Sequence, residues 1–212
     1  MRTRSFRSLL HFALFAGAFL LFTAPDGLSQ GKLGAGLEWG LSFNPLHYRS
    51  ETYIADAGYQ IDESGVVSNA HFNGLAALSL EWDYLSQHTL GLSIGIRGVG
   101  DGHGDLVFPL MLRDTYCFKK KEKSTPFLFI EGGAMYDKNV SYHLGGIGGI
   151  GAGYRHHLGS HFLLDYGARL SGLYYRPDIY DPDTGERVLS ILVQQNRRID
   201  LNIELILALR FR

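Results

Sequence analysis

The side chains that could do chemistry in this chain are scattered. There are nine histidines and one cysteine, with serines and acids near several of the histidines. His156 and His157 are adjacent, so on a strand they project to opposite faces and cannot share one site. His143, His157 and His161 fall around different strand ends, and His47, His71 and His103 fall in or beside segments that read as outer loops. A lipid-modifying hydrolase would need a serine, a histidine and an acid within hydrogen-bond reach. No segment spaces the three in a recognisable way, so no catalytic residue is expected. Cys117 is the lone cysteine, which excludes an intramolecular disulfide and makes a cysteine-rich metal site implausible.

Two further motifs resolve into structure rather than chemistry. Asp181-Pro-Asp-Thr-Gly185 followed by Glu186 opens like a calcium loop. Such a loop closes on a glutamate at its twelfth position, and Leu192 stands there. A turn is expected instead, since Pro, Asp and Gly each favour one. The run Gly145, Gly146, Gly148, Gly149, Gly151 and Gly153 lacks the Lys-Ser/Thr ending of a phosphate loop and no helical pattern follows it. Glycines there would let bulky neighbours pack inside a small barrel. No metal and no cofactor are expected.

The elements that position these residues repeat with period two. Leu33, Ala35, Leu37, Trp39, Leu41 and Phe43 alternate with Gly34, Gly36, Glu38, Gly40 and Ser42, which is a strand with one apolar face. The same alternation runs from Phe72 to Tyr84, Leu90 to Arg97, Leu106 to Phe118, Phe162 to Ser171 and Ile199 to Phe211. Asp114 breaks the apolar face of its strand, which suggests a bulge or a position near a membrane edge. Pro126 to Tyr136 is apolar on both parities, and the glycine-rich stretch fills 144–157. This makes eight strands and no helix. Short turns fall near 86–88, 119–124 and 158–160. Long loops are expected at 44–70 and 174–197, and shorter ones at 99–104 and 137–143.

Long strands of even number, with short turns at one end and longer loops at the other, describe an outer-membrane barrel. The expected fold is all-β: an eight-stranded antiparallel up-and-down transmembrane β-barrel. Glycine is abundant at 27 residues, aromatics make up 13% and charged residues 19%, below the roughly 25% of ordinary soluble domains. A lipid-facing surface reconciles those apolar stripes with a mean hydropathy of −0.03. The net charge of −1 excludes a strongly basic phosphate-neutralising domain, so no nucleic-acid partner is expected. Aromatics cluster at strand ends as in an interfacial girdle: Trp82, Tyr84, Tyr116, Phe118, Tyr174 with Tyr175, and Phe211. Ahead of the barrel, Arg2, Arg4 and Arg7 precede a short apolar run from Leu9 to Phe22, and Gly27-Leu28-Ser29 fits a cleavage site. Residues 1–29 therefore read as a signal peptide and 30–212 as the barrel.

The opposite parity carries Glu38, Glu81, Asp83, Arg97, Arg113, Asp165, Arg169, Asp200, Glu204 and Arg210. An eight-stranded barrel has room inside only for side chains, so these read as a mutually paired interior network and not as a wide pore.

The segment Leu106-Val-Phe-Pro-Leu-Met-Leu-Arg113, the basic turn Lys119-Lys-Lys-Glu-Lys123 and Pro126-Phe-Leu-Phe-Ile-Glu-Gly-Gly133 resemble the outer-membrane β-barrel domain families of Bacteroidetes-type bacteria, the PorT-like and small porin-like barrels. Gly148-Gly-Ile-Gly-Ala-Gly-Tyr154 and the closing Leu207-Ala-Leu-Arg-Phe211 are similar too. The resemblance implies a fold and a place, outer-membrane lipid as surroundings, and no particular reaction. The expected role is non-enzymatic: an envelope anchor whose loops 44–70 and 174–197 offer Tyr48, Tyr53, Tyr59, Tyr175 and Tyr180 to a protein or surface partner. The alternatives are an outer-leaflet lipid-modifying enzyme, a narrow channel, or a soluble periplasmic ligand-binding barrel with its apolar faces turned inward.

Overall fold

The structure is a computed structural model that describes residues 31–68, 70–99, 105–119, 124–137 and 144–212. The segment read as a signal peptide, His103, His143, the basic turn past Lys119 and most of the two shorter loops lie outside the described residues. Among those described, nine strands form and no helix does. They are β1 (Leu33–Ile54), β2 (Gln60–Val67), β3 (His71–Trp82), β4 (His88–Val99), β5 (Asp105–Cys117), β6 (Thr125–Asp137), β7 (Leu144–His157), β8 (Phe162–Tyr175) and β9 (Val193–Phe211).

Eight of the nine close a barrel. β1 pairs with β3, and each strand from β3 to β9 pairs antiparallel with the next. β9 returns to β1 with Ala35 opposite Phe211 and Leu41 opposite Leu205. Closure leaves no open edge around the wall.

The alternation puts one parity outside. Leu37, Leu41, Leu78, Leu80, Ile94, Leu110, Ile130, Ile150, Leu170, Ile203 and Leu205 are all exposed. Glu38, Ser42, Glu81, Arg97, Glu131, Arg155, Asp165, Arg169, Asp200, Glu204 and Arg210 are all buried. The barrel is apolar outside and charged inside. A soluble barrel would show the reverse, which removes the reading with apolar faces turned inward.

Segment 44–70 is largely strand, whereas 174–197 is a loop over 176–192 with strand at each end. β1 continues to Ile54, β2 folds back onto it with Tyr53 opposite Ile61, and β9 begins at Val193. Beyond the eight-stranded wall, β1 is thus flanked by β2 on one edge and β9 on the other. The reason these strands hide in the sequence is a register shift between Phe43 and Leu46. It switches the inward parity, so that Asn44 and then His47 are buried while Leu46 and Tyr48 are exposed. An alternation followed from Leu33 stops at that point.

Aromatic and aliphatic clusters fill the space between ionic layers. Cys117, Phe127, Phe129 and Ile206 form one cluster, and Val107, Met111, Met135, Ile147 and Leu173 form another nearer the long-loop end. A third joins Tyr53, Ile179 and Val188, with Ile61, Leu192 and Val193 packed against them, and fastens segment 176–192 to the three-stranded extension. The glycines of β7 make room for β6. A Cβ at Gly151 would come 2.2 Å from the Phe129 ring, and one at Gly153 would come 2.6 Å from the Phe127 ring.

Candidate functional site

The middle of the barrel holds an alternating ring of charges. Arg113, on β5, donates to Glu38 of β1 at 2.5 Å and to Glu131 of β6 at 2.6 Å. Arg169 of β8 reaches Glu131 at 2.6 Å and Glu38 at 3.3 Å, and also pairs with Glu204 of β9. Arg97 of β4 closes the set on Glu204 at 2.6 Å and donates to Ser42 at 2.9 Å. Three arginines thus face three glutamates. Ser171 donates a further hydrogen bond to Glu204.

A second layer sits toward the short turns. Arg155 grips Asp165 with two bonds, of 2.8 and 2.7 Å, and Arg210 pairs with both Asp165 and Glu81. Between the layers, the Arg113 guanidinium lies 4.5 Å from the Phe129 ring centre and that of Arg155 5.8 Å from Phe127. Those are cation–π distances. Buried charges survive when paired and hydrogen-bonded, and each layer balances its own charge. The space left beside the middle layer, lined by Arg97, Arg113 and Arg169, is about 20 Å³.

All ten charged residues expected inside are therefore placed, though not in one network. Glu38, Arg97, Arg113, Arg169 and Glu204 form the middle layer, and Glu81, Asp165 and Arg210 form the lower one. Asp83 lies at the short-turn end, accepting from Thr89 at 2.7 Å and pairing with Arg212 at 3.2 Å. Asp200 lies nearer the long-loop end, bonded by Arg198 at 2.9 Å and by the Tyr175 hydroxyl at 2.8 Å. Sequence reasoning missed Glu131, Arg155 and Arg198. Glu131 sits in a stretch apolar on both parities, Arg155 lies near the end of the glycine-rich stretch, and Arg198 falls between the expected loop 174–197 and the strand read from Ile199.

The outer-end extension is ordered by polar contacts at its tips. The Asp181 carboxylate accepts the backbone N–H groups of Asp56 and Asp183, each at 2.8 Å, and of Thr184 at 3.2 Å. These bonds hold it below its ordinary acid range. Tyr59 donates to Asp183 at 2.7 Å, and that bond pushes its phenol up to about 12. The Asp181–Gly185 segment is a turn: the Gly185 N–H bonds to the Asp181 carbonyl at 2.8 Å, and Gly185 takes a φ of 70° that glycine adopts without strain. Among the described residues, no group of three or more His, Cys, Asp or Glu is arranged to hold a metal.

Of the five tyrosines expected to serve as anchors, Tyr48, Tyr59 and Tyr180 are exposed, as are Leu189 and Ile191 further along the segment that holds Tyr180. Tyr53 and Tyr175 are buried, Tyr53 under segment 176–192 and Tyr175 on Asp200 inside the barrel. That corrects the expectation for both, and Tyr175 leaves the aromatic rim as well.

The expected girdle residues lie on the outer face. Trp82, Tyr84, Tyr116, Phe118 and Phe211 sit toward the short-turn end, where Phe162 packs on Phe211 with ring centres 5.2 Å apart. Tyr174 sits toward the other end, opposite Ile199. Asp114 is not a bulge, because β5 keeps its register through it against both β4 and β6.

No family model matches the chain, and no curated protein does. Three solved structures are similar to it. Neisserial surface protein A is 10% identical, with 84% of this chain and 98% of that chain covered and a TM-score of 0.43. The outer membrane protein OprG from Pseudomonas aeruginosa is 10% identical, with coverages of 88% and 98% and a TM-score of 0.48. The outer membrane protein AlkL, solved in lipid bilayers, is 14% identical, with coverages of 82% and 89% and a TM-score of 0.39. The fold of this chain rests on its own strand pairing: a closed, eight-stranded antiparallel barrel.

Proposed function

We propose that this chain is an outer-membrane barrel that works without catalysis, as an anchor carrying a rigid recognition surface. What supports the membrane placement is the sidedness of the wall, with aliphatic side chains outside and paired charges inside. Burying such an outer face in hydrocarbon removes its apolar surface from water, and closure leaves no wall edge unpaired in lipid. Export would be by the segment read as a signal peptide. The kinship with Bacteroidetes-type barrels, the secretion-accessory PorT-like ones included, rests on the sequence motifs alone.

The single observation that carries the role is the ordered extension. β1, β2 and β9 rise past the wall, and segment 176–192 is fastened to them by an apolar cluster, the Asp56 N–H bond to the Asp181 carboxylate and the Ile54 N–H bond to the Leu192 carbonyl. Such order leaves little conformational entropy to lose when a partner docks. The exposed Tyr59, Tyr180, Leu189 and Ile191 supply aromatic and aliphatic contact area.

The test replaces 55–66 and 177–191 with short turns. The trimmed barrel should keep its heat-dependent gel mobility and lose partner binding or envelope integrity. If every such phenotype survived trimming, the recognition role would be wrong.

A further inference from the structure

Asp114 is an acid on the lipid-facing parity. Leu112 precedes it and Tyr116 follows it on the same face of β5, with Leu90 opposite on β4 and Ile130 opposite on β6. A carboxylate at the edge of hydrocarbon is costly unless something pairs with it. Among the described residues, two side chains reach it. Tyr84 donates to Oδ1 at 3.0 Å, and His88 Nδ1 lies 3.2 Å from Oδ2. Among the described residues, no lysine or arginine pairs with it. The side chain stays about a third exposed, at 35%, and so does that of His88, at 32%.

Around it runs a row of rings. Trp82 lies 6.0 Å from Tyr84, Tyr84 lies 5.7 Å from His88, His88 lies 5.1 Å from Tyr116, and Tyr116 lies 5.3 Å from Phe118, all between ring centres. The row sits at the short-turn end of the apolar band, where headgroups would lie. A carboxylate with open lone pairs, set among aromatic faces and facing outward, is suited to a cation. Rings attract cations through their negative faces, and a carboxylate adds charge-assisted hydrogen bonds if the cation carries N–H groups.

We propose that Asp114, with Tyr84, His88, Tyr116 and Trp82, binds the primary ammonium headgroup of a phospholipid in the periplasmic leaflet. The proposal rests on the membrane placement given above. The headgroup supplies a positive charge that no lysine or arginine among the described residues brings to Asp114, and its N–H groups take up the outward lone pairs of the carboxylate. The lipid's acyl chains would then lie along the aliphatic outer face of β4 to β6. A quaternary choline headgroup would meet the rings but could not donate a hydrogen bond to Asp114.

The test is retention of lipid by the folded barrel in native mass spectrometry. The full chain would be offered equimolar phosphatidylethanolamine, phosphatidylglycerol and phosphatidylcholine. Phosphatidylglycerol is a fair control, because a basic turn starting at the exposed Lys119 would draw any anionic lipid. The wild type should retain roughly tenfold more ethanolamine lipid than either competitor, as one charge-assisted contact would give. Asp114→Asn, nearly isosteric, should lose the preference while keeping its heat-dependent mobility. Phe162→Leu, which alters an outer-face ring on β8 outside the site, should keep the preference. Equal retention of ethanolamine and choline lipids, or an unchanged preference in Asp114→Asn, would overturn the site. Failure of the wild type to enter bilayers at all would instead overturn the membrane reading.

Discussion

Single residues carry the heaviest electrostatic burden in this barrel. Arg169 touches three glutamates with one guanidinium. Removing a partner from a buried pair leaves an uncompensated charge and costs about 3–5 kcal/mol. Arg169→Met should therefore lower stability by about that amount, read as a shift of the urea midpoint for folding into vesicles. A loss within about 0.5 kcal/mol, the range of ordinary surface changes, would show that the middle layer is wet rather than paired.

The loop acids make a pH prediction of opposite sign at each end. Asp181 is held below its ordinary range by backbone N–H groups, the one from Asp56 first. Its contribution to loop docking is present at neutral pH and fades only as pH falls through that lowered value. Tyr59 is raised by its bond to Asp183, so its contribution is intact below the ordinary 10.0 and lost as pH climbs toward about 12. A phenolate absorbance titration, with Tyr59→Phe subtracted, should show this tyrosine ionising late. Ionisation near 10 would mean the Tyr59–Asp183 bond is absent.

At the scale of elements, glycine spacing separates wall geometry from chance. A Cβ at Gly133 would come 2.0 Å from the Leu110 carbonyl oxygen and 2.8 Å from the Met111 Cα, both backbone atoms of β5 that cannot swing aside. At Gly146 nothing lies within 4 Å. Gly133→Ala should then cost about 1–3 kcal/mol, the usual range for overpacking, and Gly146→Ala should be neutral. The fraction of each variant that runs as the folded band measures this, and equal behaviour would contradict the β5–β6 register.

These elements also show what the sequence could and could not reveal. Six of the eight wall strands were legible because the apolar parity holds along each, from Leu33 to Phe43 and from Ile199 to Phe211 among them, while β6 and β7 carry no such parity. β2 was not, because Gln-Ile-Asp-Glu-Ser-Gly-Val-Val lies mostly in solvent and carries no apolar stripe. The far half of β1 was lost at the register shift after Phe43. Glu131 escaped because Phe127 and Phe129 point inward beside it, so apolar side chains occupy both faces of β6. The inward charges of β1 and β8 stood out because single acids and arginines interrupt a parity rich in small residues, and those of β9 because they alternate with an unbroken apolar row from Ile199 to Phe211. Which of them meet depends on strand register, which alternation does not encode.

At the scale of the whole barrel, the interior is packed with side chains. Two ionic layers and two apolar clusters occupy the barrel interior, and the space beside the middle layer is about 20 Å³. Planar bilayers holding the protein should show no discrete conductance steps, and regular steps that scale with salt would contradict a packed interior. The central claim is that the apolar outer face lies in lipid. The chain has two tryptophans, Trp39 in the middle of the β1 wall and Trp82 in the aromatic row. The most direct measurement is fluorescence quenching by lipids brominated at different depths, with Trp39 observed in Trp82→Phe and Trp82 in Trp39→Phe. Trp39 should be quenched best by bromines deep in the acyl chains and Trp82 by bromines near the headgroup. Strong quenching of Trp39 by aqueous iodide, with no response to brominated lipid, would contradict the account.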